Sequence, residues 1–245
     1  MTGGRHPPPG DRPVPVAEQM CLADQIKAAD ESYRRRGELL GGTAGFGPRI
    51  ERRFAVSDSY ELEWRLSRGL FVEAERSPDL YSEGVLHGRR AIELQSDGVE
   101  GNFWTGVNLA LKAQTTRGLK GAVALLEARR SLRRACDIRE AYHGAGPLRV
   151  IGRLEHKSPR LLGGSVARSS SYYRRALAIA PTNSVTLVYA AELEIDRGES
   201  LKAASLLEAV LSLPIDPDWE FENIRDKTLA KSMLKRLGKH SDDAG

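Results

Sequence analysis

The sequence predicts an all-α fold in which antiparallel helix pairs stack into a solenoid, and three observations predict it. Apolar residues between the chain ends recur at helical spacing, and no run alternates apolar and polar residues as a strand would. The composition, 40 % hydrophobic and 29 % charged over 245 residues, is typical of a chain that buries a core without metal ions or disulfides. The third observation is a repeat of fixed length near the end of the chain.

That repeat joins two segments that each end at a proline. Residues 172–180 precede Pro181 and residues 200–213 precede Pro214, and both segments carry apolar side chains at helical spacing. Ala176 and Val210 hold equivalent positions in the two segments and are 34 residues apart. A period of 34 residues is typical of the tetratricopeptide repeat, which consists of two antiparallel helices. The sequence therefore predicts a tetratricopeptide-like helical repeat solenoid.

Earlier repeats follow the same pattern with longer turns. The first predicted unit begins near Trp64, the second near Phe103, the third near Gly146 and the last at Ser184. Spacings of 38 to 46 residues between the earlier units place additional residues in turns, and the third unit carries an insertion at residues 159–164. We expect eight to ten helices in stacked pairs. An irregular helical bundle is the alternative interpretation.

The chain ends differ in composition from the repeats. Residues 1–20 are rich in proline and glycine, and such a segment buries too little apolar surface to fold, so we expect it to be disordered. A single tetratricopeptide-like domain is predicted over residues 21–238, followed by a short disordered segment at 239–245. The longest uncharged run, residues 176–191, is too short for a membrane span.

Charge and motifs exclude several classes of function. A net charge of +4 is too small for an obligate nucleic-acid binder, so no nucleic-acid partner is expected. Cys21 and Cys136 are too few for a disulfide framework. The spacing of His87, His143 and His156 relative to Cys136 matches no metal site. Since no nucleophile, phosphate-loop or metalloprotease motif is present, we expect a protein without catalytic residues, metal or cofactor.

Several longer blocks carry a family resemblance. These are VEGNFWTGVNL at 99–109, GPLRVIGRL at 146–154, RRALAIAPTN at 174–183 and LPIDPDWEFENIRDKTLAK at 213–231, together with the insertion at 159–164. In this combination the chain resembles the T component (the TatT family) of tripartite ATP-independent periplasmic (TRAP) transporters. The resemblance covers about residues 22–237.

The resemblance implies which class of protein this chain binds, but it implies no chemical reaction. Members of the family partner the solute-binding protein of the transporter and resemble exported lipoproteins. Cys21 stands near the place of the lipoprotein cysteine, but the residues before it form no lipobox and no signal sequence precedes it. We therefore expect a cytoplasmic protein from the chain as written, or a periplasmic one if the export of the family applies and the start is truncated.

The repeat register also predicts a binding surface. In tetratricopeptide units, set positions of the first helix line the inner surface, and those of the second unit include Phe103, Val107 and Leu111. The third unit places basic side chains at the same positions, namely Arg149, Arg153, His156 and Lys157. An apolar wall beside a basic one suits a small amphipathic carboxylate or an acidic peptide end, because arginine binds carboxylates bidentately.

The alternative for these arginines is an ion pair with acidic groups of the next unit, such as Glu192. At the level of function, the first hypothesis is a non-catalytic accessory protein that binds the transporter's solute-binding protein and an amphipathic anion. The second is a cytoplasmic adaptor that binds an acidic peptide or protein, and a weaker third is a helical enzyme. A homo-oligomer is compatible with each.

Overall fold

The computed structural model describes residues 21–41 and 57–242. These residues contain eleven α-helices and two 3-10 turns, at 160–162 and 217–219, and no strand. The helices are α1 Leu22–Arg34, α2 Arg36–Gly41, α3 Tyr60–Glu73, α4 Leu80–Leu94, α5 Val99–Thr115, α6 Gly118–Arg139, α7 Tyr142–Lys157, α8 Val166–Ile179, α9 Ser184–Asp196, α10 Ser200–Ser212 and α11 Glu220–Asp242. The all-α prediction is confirmed. The helix number exceeds the predicted range by one, since a break at Arg35 separates the short α2 from α1.

The helices pack in the order of the chain as predicted for a solenoid. α3 packs on α4, α5 on α6, α7 on α8, and α9 on α10, which gives four antiparallel pairs. The first helices of successive pairs also touch, from α3 through α5 and α7 to α9, and α11 packs against both α9 and α10. We call the side formed by this row the inner face.

Glycines allow the helices to approach closely. A Cβ atom at Gly106 of α5 would lie 2.7 Å from Cγ of Leu132 on α6, too close for any other residue without a shift. A Cβ atom at Gly152 of α7 would lie 2.8 Å from Cε1 of Tyr173 on α8. Small residues at these crossings therefore set the distance between the helices of a pair.

The core has two main parts. The larger cluster joins α3 through α7 and contains Phe103, Trp104, Leu132 and Ile151, each at most 2 % exposed. The second joins α9, α10 and α11 and includes the buried residues Leu187, Ala191 and Leu207. No helix in the described part of the chain is both long enough and apolar enough to cross a membrane.

The two ends of the described chain meet on the inner face. α1 packs against α3, and α2 touches α11. Nη2 of Arg36 on α2 lies 2.7 Å from Oε2 of Glu222 on α11, and both side chains are largely buried. α11 is fixed to the start of α9 by a buried hydrogen bond of 2.7 Å from Ser184 Oγ to Asp226. The inner face is thus closed by α1, α2 and α11.

The structure bears on the predicted chain ends only in part. The expected disorder at residues 1–20 lies outside the described residues. α11 extends through Asp242, four residues past the predicted domain end at 238. Met233 and Leu237 of α11 pack in or against the second core cluster, so the helix contributes to the core almost to the predicted domain end.

Candidate functional site

The start of α7 contains a left-handed turn at the centre of the inner face. His143, Gly144 and Ala145 have φ of 51°, 60° and 57°, a region that non-glycine residues rarely adopt. Pro147 follows in the first regular turn, where its missing N–H is not needed. Strained backbone of this kind persists only where the surroundings hold it, and it is most frequent at functional sites.

Aromatic rings surround the His143 side chain. Its ring centroid lies 4.7 Å from that of Trp219, 5.1 Å from that of Trp104 and 5.6 Å from that of Phe103. Nε2 of His143 shares a hydrogen bond of 3.0 Å with the hydroxyl of Tyr33 on α1. Side chains from α1, α5, α7 and the turn before α11 therefore converge on one imidazole.

Burial keeps this imidazole neutral. Removal from water lowers the pKa of His143 well below its ordinary value, and the positive charges of Arg149, Arg36 and Arg68 lower it further. Nδ1 of His143 has no hydrogen-bond partner among residues 21–41 and 57–242. The folded state thus disfavours the proton that the unfolded chain accepts near pH 6.5.

We expect this difference to appear as loss of stability in acid. Since the unfolded state binds the proton more readily than the folded state does, the free energy of unfolding should fall as the pH drops below about 6.5. His143→Asn removes the titration, and asparagine tolerates the left-handed backbone. Urea unfolding at pH 7 and pH 5 should show a smaller decrease in the free energy of unfolding for the variant than for the unmodified chain. An equal decrease in both proteins would exclude His143 as the source of the pH dependence.

Arg149 holds the left-handed turn. The side chain is buried, and its Nη1 donates to the carbonyl of Gly144 at 2.7 Å and to Oδ1 of Asn183 at 3.3 Å. Nη2 donates to the carbonyl of His143 at 3.4 Å. Burial lowers the pKa of the guanidinium. Arg149 therefore directs its donors to the backbone of its own turn and to the cap of α9, and not to Glu192.

The other basic residues of α7 face acidic residues of α9. Nη1 of Arg153 lies 2.5 Å from Oε2 of Glu192, and its guanidinium lies over the ring of Tyr189. Nζ of Lys157 lies 3.1 Å from Asp196, and Nε2 of His156 lies 2.8 Å from the same carboxylate. The sequence offered ion pairs with the next unit as the alternative to ligand binding. Arg153 forms such a pair, whereas Arg149 does not.

The predicted apolar wall lies inside the protein. Phe103 is 2 % exposed and Val107 is 6 % exposed, and both belong to the larger core cluster, against which the partly buried Leu111 packs. Phe103 lies beneath the start of α7, where a Cβ atom at Gly146 would be 2.8 Å from its Cζ. These residues line the core and present no open wall. A role of the seven predicted site residues in ligand binding stays a prediction.

An open pocket lies beside the ion pairs, between α9 and α11. It has a volume of about 330 Å³ and is lined by Lys157, Glu192, Ile195, Asp196, Leu229, Met233, Arg236 and Leu237. The apolar lining comes mainly from α11, which is not part of the binding surface predicted from the sequence. The sequence does indicate this apolar face, because residues 229, 233 and 237 follow one another at intervals of four and lie on one side of a helix.

Two further observations concern reactive groups. Within residues 21–41 and 57–242, no three His, Cys, Asp or Glu side chains are grouped to hold a metal ion. Burial raises the pKa of the Cys136 thiol to about 12, so this thiol stays protonated at neutral pH.

The sequence also matches a known family over most of its length. The profile of the TRAP transporter T-component family matches residues 73–243, from the end of α3 through α11. The chain belongs to the TRAP transporter T-component family. No curated protein matches the sequence. The match confirms the resemblance predicted from the sequence.

The matched region contains most of the candidate site. The left-handed turn, Arg149, the ion pairs of α7 with α9 and the pocket beside α11 all lie within residues 73–243 of this T component. Tyr33 and Arg36 lie outside the matched region, on the helices that close the inner face. The match assigns the protein to an accessory component of a solute transporter.

Proposed function

We propose that this T component binds the solute-binding protein of a TRAP transporter and has no catalytic activity. The observation that carries the proposal is the family match over α4 to α11, which includes every helix of the second, third and fourth pairs. Helical solenoids present long surfaces to protein partners, which suits a component that docks another protein. Docking to a periplasmic binding protein requires export. Of the two locations predicted from the sequence, we therefore propose the periplasm.

Gel filtration tests the docking. The purified chain, mixed with the solute-binding protein of a TRAP transporter from the same organism, should elute as a complex ahead of either protein alone. A solute-binding protein of an ATP-dependent transporter serves as the control and should elute separately. Separate elution of both binding proteins from a folded T component would contradict the proposal.

A second candidate activity is binding of an amphipathic carboxylate, and the pocket beside α11 supports it. Apolar side chains of α11 line one side and Lys157 and Arg236 contribute positive charge, while Glu192 and Asp196 contribute negative charge. Arg153 is not among the lining residues, but it pairs with Glu192, which is. A ligand carboxylate that binds Arg153 therefore competes with Glu192.

This competition gives two variants with opposite expected effects. Glu192→Gln should strengthen binding of an alkyl carboxylate, because it removes the competing charge and releases Arg153. Arg153→Ala should weaken it by about tenfold or more, since a hydrogen bond to a charged group contributes about 1.5–3 kcal/mol. Calorimetry with a fatty-acid panel and an acidic peptide measures both. Equal affinities in all three proteins would leave Arg153 and Glu192 as structural partners, and binding of the peptide alone would favour the adaptor hypothesis.

A further inference from the structure

The insertion between α7 and α8 exposes apolar side chains. Leu161, in the 3-10 turn Arg160–Leu162, is 99 % exposed, the largest value among the large apolar residues that the structure describes. Leu162 and Val166 beside it are also exposed. Burial of such a leucine by a partner removes apolar surface from water, which favours association.

Buried charges hold this loop in one shape. Glu155 on α7 is 1 % exposed, and its Oε2 accepts from Nη2 of Arg168 at 2.7 Å. Arg168 also donates to the carbonyl of Gly163, and the buried Arg129 of α6 donates to the carbonyl of Leu162. The amide of Ser165 donates to the carbonyl of Glu155 at 2.8 Å. Both ends of the loop are thereby fixed, and Leu161 is held in solvent by a rigid frame.

A basic pocket lies next to the exposed leucines. It has a volume of about 670 Å³, and its lining includes Arg160, Arg168, Arg174 and Arg197 and no acidic side chain. Arg168 and Arg197 are paired with Glu155 and Glu194. Arg160 and Arg174 form no ion pair with any residue in the described ranges and retain their donors for a partner. Arginine favours carboxylates because its planar fork binds them through two hydrogen bonds.

We propose that Leu161, Leu162 and the basic pocket form the docking surface for the solute-binding protein. We call them the insertion surface. The partner would present an apolar socket to Leu161 and an acidic, convex segment to the pocket. A concave pocket requires a convex partner, which a flat lipid bilayer does not offer. The inference rests on the proposed function, since it names the surface through which that docking occurs.

Charge and shape variants test the surface. Leu161→Asp places a charge in the apolar socket, and the double variant Arg160→Glu, Arg174→Glu reverses the pocket charges that face the acidic segment. The matched controls are Leu201→Asp, at a leucine 89 % exposed on α10, and Arg133→Glu, at an exposed residue of α6. All changed side chains are exposed, so each variant should melt as the unmodified chain does.

Calorimetric titration with the solute-binding protein gives the readout. Affinity should fall by about tenfold or more in both insertion-surface variants and stay unchanged in both controls. If all variants bind as the unmodified chain does, the docking surface lies elsewhere while the proposed function stands. If the unmodified chain does not bind, the proposed function fails and this inference fails with it. Co-sedimentation with phosphatidylglycerol vesicles is measured in parallel. If Leu161→Asp weakens binding to the vesicles but not to the solute-binding protein, the surface binds a membrane and the inference is overturned.

Discussion

Replacing Trp104 with Ala should lower the free energy of unfolding by about 3–5 kcal/mol, the cost of truncating a large buried aromatic side chain. Trp104 is 1 % exposed, and its ring packs against Tyr33, Phe71, Phe103 and His143. Its Nε1 donates to the hydroxyl of Tyr142 at 3.0 Å. One side chain therefore joins α1, α3, α5 and α7, and its loss leaves a cavity at their meeting point. Urea unfolding measures the effect.

Trp104→Phe is the matched control, because it keeps an aromatic ring and removes the hydrogen bond to Tyr142. We expect a smaller loss for Phe than for Ala, since most of the buried area is kept. If Trp104→Ala melted like the unmodified chain and lost only partner binding, Trp104 would be a binding residue and not a packing residue.

Replacing Arg36 with Met should cost about 3–5 kcal/mol, the penalty for leaving one member of a buried ion pair without its partner. Arg36 donates to Glu222 through Nε at 2.8 Å and through Nη2 at 2.7 Å, and Nη2 also donates to the carbonyl of Asp218 at 2.7 Å. The pair connects α2 with α11 across the inner face. Without Arg36, the Glu222 carboxylate therefore has no charged partner at a position where water has little access.

A double-mutant cycle separates this coupling from other effects. Arg36→Met combined with Glu222→Met removes both charges, so the double variant should regain much of the stability lost in either single variant. The control is Arg35→Met, which breaks an exposed pair with Glu38 and should leave the free energy of unfolding nearly unchanged. Additive effects of the two single variants would show that the contact between the chain ends does not stabilise the fold.

The helix pairs could be predicted from the sequence because local signals define them. Apolar spacing marks each helix, and Pro181 and Pro214 end two helical segments. Asn183 supplies the N-cap of α9, with its side chain accepting from the amide of Thr186. The insertion at 159–164 was equally visible, since the period lengthens there. These features depend on residues close together in the chain.

The inner face could not be predicted because its contacts join distant residues. Arg36 and Glu222 are 186 residues apart, and no periodicity connects them. The left-handed backbone of His143 and Ala145 is enforced by Arg149 and the surrounding rings, and only Gly144 hints at it in the sequence. Because α1, α2 and α11 close the inner face, the repeat register alone predicted a wall at Phe103 and Val107 where the structure has core.

Docking is best measured by isothermal titration of the T component with a TRAP solute-binding protein from the same organism. We expect saturable binding with a defined stoichiometry, with and without the solute that the binding protein carries. Affinity should be unchanged for Leu201→Asp and reduced for Leu161→Asp. Absence of binding heat from two folded proteins at high micromolar concentration, together with separate sedimentation of the mixture, would contradict the claim that this T component docks a solute-binding protein.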